Sequence, residues 1–87
     1  MEEPTIIKRR SMTYVLYPDK VVVGIGLNQW ISYNQYDNWN RQGITLFRKK
    51  ILNSKNHQYD NPSDLMSLAY ECDIKGAGTQ KPKEVEL

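Results

Sequence analysis

The sequence predicts a small single α+β domain: an N-terminal β-hairpin, with a third strand as an option, packed against one or two helices and followed by a flexible C-terminal tail. Three observations carry this reading. Two β-branched and aromatic runs flank the turn-forming Tyr17-Pro18-Asp19-Lys20. Apolar residues recur at helical spacing after Gly43, and Asn61-Pro62-Ser63-Asp64 has the makeup of a helix start. At 87 residues the chain suits one core and not two, so the expected limits are a globular unit at 1–77 and a tail at 78–87.

The hairpin spans Ser11 to Leu27. Proline at the second turn position presets φ, and Asp19 tolerates the third. Alternation in the first arm puts Met12, Tyr14 and Leu16 on one face. The second arm, Val21 to Leu27, is nearly all apolar and suits a strand covered on both sides. Gly24 and Gly26 share a face there, which lets something bulky, an aromatic ring or a helix, come close to the backbone. Asn28 to Gln42 is rich in Asn, Tyr and Trp and poor in helix formers. It reads either as a short irregular helix, with Tyr33, Tyr36 and Trp39 three apart, or as a third strand through Trp30-Ile31-Ser32-Tyr33.

Ile44, Phe47, Ile51 and Leu52 fall at i, i+3, i+7 and i+8, a helical stripe that turns Arg48, Lys49 and Lys50 mainly outward. A strand is the competitor over this stretch, because Ile44, Leu46 and Arg48 alternate. The closing helix is the clearest element. Asn61 caps it, Pro62 takes its first position, Asp64 lies in its first turn, and Leu65, Leu68, Ala69 and Cys72 form its apolar stripe. Lys75-Gly76-Ala77-Gly78 should end it, and the polar stretch from Thr79 reads as a mobile tail.

Composition narrows the function classes. The formal net charge is +2, but Arg41 to Lys55 holds five cations and no acid, while Asn56 to Leu87 holds six acids against three lysines. An electrically two-sided molecule follows. No stretch approaches the ~20 apolar residues of a membrane span, and Lys8-Arg9-Arg10 is not followed by an apolar run of signal-peptide length. The expectation is a cytoplasmic protein with no membrane contact. One cysteine, Cys72, precludes an internal disulfide.

No motif for catalysis emerges. One histidine and one cysteine do not make a structural zinc site. A Cys72–His57 nucleophilic pair competes poorly with the plain reading of Cys72 as a small core residue and His57 as a loop residue. The carboxylates sit where helix capping explains them, and Gly24-Ile25-Gly26 lacks the remainder of any phosphate-binding fingerprint. No enzyme activity, metal or cofactor is expected. Val85-Glu86-Leu87 has the form that C-terminus-capturing domains accept, but three residues match too readily to count.

What remains is aromatic and basic: Trp30, Tyr33, Tyr36, Trp39, Arg41, Arg48, Lys49 and Lys50 are the candidate partner-binding residues. Aromatic platforms beside cations suit single-stranded nucleic acid. Tyr, Trp and Arg equally dominate protein hot spots, and small cores need large aromatics too. A +2 chain is weak footing for phosphate binding, so a protein partner is favoured over nucleic acid. The expected function is that of a non-enzymatic regulator or inhibitor that covers a surface of a larger macromolecule. The Asn-, Tyr- and Lys-rich composition suits a virus or mobile-element accessory protein.

Overall fold

The computed structural model of the chain describes residues 3–26, 28–35, 42–54 and 58–85. It is a mixed α+β domain with five strands in one antiparallel sheet and two helices. The strands are β1 (Thr5–Lys8), β2 (Met12–Leu16), β3 (Lys20–Ile25), β4 (Gln29–Gln35) and β5 (Ile74–Thr79), lying side by side in chain order. Helices α1 (Gln42–Leu52) and α2 (Pro62–Glu71) fill the connection between β4 and β5.

The expected hairpin is β2 and β3, closed by Tyr17 N–H donating to the Lys20 carbonyl at 2.9 Å. It forms the middle of the sheet rather than the whole of it. Register sets Tyr14 beside Val23 and Leu16 beside Val21, so the predicted face of Met12, Tyr14 and Leu16 joins Val21 and Val23 beneath the helices. The alternate residues Val15 and Val22 pair on the opposite face, which is why this second arm is apolar throughout. The third strand is real. Trp30 pairs with Gly24, and its ring lies so close that a Cβ at Gly24 would come within 2.7 Å of it. The aromatic reading of Gly24 therefore holds, whereas Gly26 sits beyond the strand in a turn.

Of the two readings for Ile44 to Leu52, the helical one is correct. Ile44, Phe47 and Ile51 are fully enclosed, and the Phe47 ring meets Tyr33 of β4 at 5.2 Å between centroids. Leu52 departs from expectation: it is half exposed, because it lies well off the line of the other three around the helix. Helix α2 starts as predicted, with the Asn61 side chain accepting from Ser63 N–H at 2.9 Å and Pro62 first in the helix. Leu65, Leu68, Ala69 and Cys72 complete the buried stripe.

Two corrections concern the ends. Lys75-Gly76-Ala77-Gly78 does not trail off after a helix; Asp73, at φ 59, reverses the chain, and residues 74–79 form β5 along β4. The tail expected at 78–87 is thus sheet at Gly78 and Thr79. Further on, Val85 is buried against Val15, Val22 and Trp30, and Tyr17 donates a hydrogen bond to Glu84 at 2.7 Å. The segment after β5 caps the sheet face that the helices leave open. Arg9 is also tied down. It reaches the connector between the helices, donating to Ser54 Oγ at 2.9 Å and pairing with Asp60 at 3.4 Å, while the buried Tyr14 hydroxyl donates to the Tyr59 carbonyl.

Candidate partner-binding surface

Helix α1 must turn Ile44, Phe47 and Ile51 inward to cover β3 and β4, and this fixes what it shows to solvent. Leu46, Lys49 and Leu52 follow one another at a spacing of three and form a continuous outward row. Lys50 lies beside Leu46 one turn on, and Asn53 beside Lys49. Leu46 is 43% and Leu52 50% exposed, with both lysines exposed between them. Arg48 sits at the margin of the core, half-buried, with its Nε enclosed and without a partner among the described residues. Lys49 and Lys50 occupy the last turn, where a cation also suits the carbonyl end of the helix dipole.

A second surface lies on the same face of the sheet, at its β5 edge. Ile31 and Tyr33 of β4, Ile74 and Gly76 of β5, and Met66 and Tyr70 of α2 line an open cleft of about 530 Å³. Its floor exists because position 76 is glycine: a Cβ there would strike Ile31 at 2.7 Å and Tyr33 at 2.9 Å. Met66 and Tyr70, one turn apart on α2, are 52% and 78% exposed. Acids mark this helix, with Asp64 in its first turn and Glu71 in its last. The charge asymmetry of the sequence is thereby a difference between the two helices.

The predicted site residues do not form one surface. Trp30 and Tyr33 are each only 5% exposed and belong to opposite sides of the sheet, Trp30 under the C-terminal segment and Tyr33 under the helices. As core residues they have almost no surface to give a partner. Tyr36, Trp39 and Arg41 lie outside the described residues, as does His57. Arg48, Lys49 and Lys50 do come together on α1. The residues missed from sequence are Leu46, Leu52, Met66 and Tyr70, and only a correct helical phase would have found them.

Among the described residues no three His, Cys, Asp or Glu side chains gather in a way that could hold a metal. Burial pushes the Cys72 thiol and the Tyr33 phenol up from their ordinary values, which disfavours thiolate or phenolate chemistry. Among the described residues no helix is long and apolar enough to cross a membrane. Comparison with known proteins found no matching family model, curated protein or solved structure.

Proposed function

We propose that this domain is a non-enzymatic binding protein, a regulator or inhibitor that covers a surface of a larger protein through the outer face of α1. The observation that carries this reading is the row Leu46, Lys49, Leu52, with Lys50 alongside: two leucines half in water, interleaved with cations. A phosphate backbone rewards the lysines and gives the leucines nothing. A protein surface with apolar hollows rimmed by acids rewards both. Covering each leucine contributes about 25 cal/mol per Å² of apolar area removed from water, while the lysines steer the encounter and fix its register. Nucleic-acid modules without sequence preference commonly add aromatic stacking platforms, and the rings of Trp30 and Tyr33 are taken up in the core.

The protein and nucleic-acid readings separate in a salt titration against a generic fluorescent single-stranded oligonucleotide. The protein reading expects weak binding that the combined change Arg48→Ala, Lys49→Ala and Lys50→Ala leaves nearly unaltered. Micromolar or tighter binding, with a salt slope that this triple change flattens by about two to three units, would overturn it.

A further inference from the structure

The two faces of the sheet are closed in unequal ways. Under the helices, the buried cluster draws on α1, α2 and every strand from β2 to β5. On the other face Val15, Val22 and Trp30 are covered by residues 81–85, of which Val85 alone is fully enclosed and Pro82 half-buried, while Lys81, Lys83 and Glu84 are exposed. Among the described residues a single side-chain hydrogen bond joins this segment to the sheet, from the Tyr17 hydroxyl to Glu84, and it lies in solvent. The backbone bond from Val85 N–H to the Pro82 carbonyl, at 3.3 Å, is internal to the segment and adds no hold on the sheet. The closure also has a defect. The Trp30 indole N–H is enclosed and has no acceptor among the described residues, so covering this face strips water from a donor without giving it a new partner.

We infer that residues 81–85 form a strap that lifts from the sheet as a unit while the sheet and helices stay folded, so that the strip of Val15, Val22 and Trp30 is covered conditionally rather than permanently. Opposing effects nearly balance in it. Burial of one valine holds the strap down, whereas the unmet indole N–H and the ordering of the segment's backbone both favour release. Tyr17 is the latch. Lys20 lies over its ring, 4.8 Å from the centroid, and the hydroxyl at the ring's far end holds Glu84. Lifting the strap breaks that exposed bond and the Val85 contact but no strand pairing, because β5 ends at Thr79. The cluster beneath the helices contains no residue of the strap and is untouched. With the strap raised, the face shows water an apolar strip and two donors, the Tyr17 hydroxyl and the Trp30 indole N–H, which the closed molecule keeps committed or enclosed. This device lies on the sheet face opposite α1 and works independently of it.

Hydrogen exchange of the full chain, followed by nuclear magnetic resonance, tests the inference. The spectrum of Trp39→Phe identifies the Trp30 indole N–H. In the wild type this group should be protected roughly tenfold or more less than the Phe47 and Leu68 amides inside the helices, and dilute urea should leave its rate unaltered, as a local opening requires. Val85→Ala should speed its exchange roughly tenfold by removing apolar contact from the closed strap. Tyr17→Phe keeps the ring and removes the hydroxyl, and should speed it about threefold. Both variants should retain the helix signal of the wild type in circular dichroism. A Trp30 indole N–H as protected as those amides, with the same dependence on urea, overturns the inference, because the strap then opens only when the whole chain unfolds. Exchange that Val85→Ala and Tyr17→Phe both leave unchanged overturns it too.

Discussion

Helices α1 and α2 cover the same face of the same sheet, yet they show solvent opposite charge. Inward, they are near equivalents: Ile44, Phe47 and Ile51 on one, Leu65, Leu68 and Ala69 on the other, all within one cluster. Outward, α1 carries Lys49 and Lys50, with Arg48 at the margin of the core, and α2 carries Asp64 and Glu71. Packing dictates the first set and is indifferent to the second. The outward residues are therefore where a function beyond folding leaves its mark. Each helix has an exposed apolar pair on that side, Leu46 and Leu52 or Met66 and Tyr70. Folding gains little from them, and on the function proposed above the α1 pair is the one that a partner covers.

Equivalence of the inward faces can be broken directly. Phe47→Ala should cost about 3–5 kcal/mol and Leu65→Ala about 2–5 kcal/mol in denaturant unfolding, since both side chains are fully enclosed. If one helix tolerated its change at under about 1 kcal/mol, the two would not share a core. The opposite face of the sheet serves as the control. Ending the chain after Thr79 removes Val85 from Val15, Val22 and Trp30 and breaks the Tyr17–Glu84 hydrogen bond. The expected loss is about 2 kcal/mol, with helix content by circular dichroism unaltered. A truncated chain as stable as the full one would show that the cap contributes nothing. The smallest effect concerns how α2 begins. Asn61→Ala should cost about 1 kcal/mol by orphaning Ser63 N–H, measurable as a lowered urea midpoint with an unchanged slope.

How much of this was legible follows from how local each cause is. The hairpin could be read because Pro18 and Asp19 dictate their own turn, and α2 because Asn61, Pro62 and Asp64 each act within one turn of helix. β5 could not. Gly76-Ala77-Gly78 has poor strand propensity and the look of a helix stop, and it is extended only because β4, some forty residues earlier, offers it a ladder. The docking of Val85 is hidden for the same reason, since its pocket is assembled from three different strands. At the candidate surface the cations were visible as a run, but the leucines were not. Leu52 was assigned to the buried stripe, and whether Leu46 faces in or out depends on a helix phase that the competing strand reading reverses. The aromatics misled, because Trp30 and Tyr33 alternate across a strand and a sheet with two covered faces buries both.

The account turns on whether α1 meets a protein through leucine and lysine together. The direct measurement is affinity capture from nuclease-treated extract of the source cells, read by quantitative mass spectrometry. The baits are the full chain, the pair Leu46→Ala and Leu52→Ala, the pair Lys49→Ala and Lys50→Ala, and Met66→Asp with Tyr70→Asp. The expected result is a defined protein enriched by the wild type and by the α2 variant. The leucine pair should lower its recovery roughly tenfold or more, and the lysine pair should lower it chiefly at low salt. Undiminished capture by both α1 pairs, or capture that disappears once nucleic acid is digested, would contradict the account.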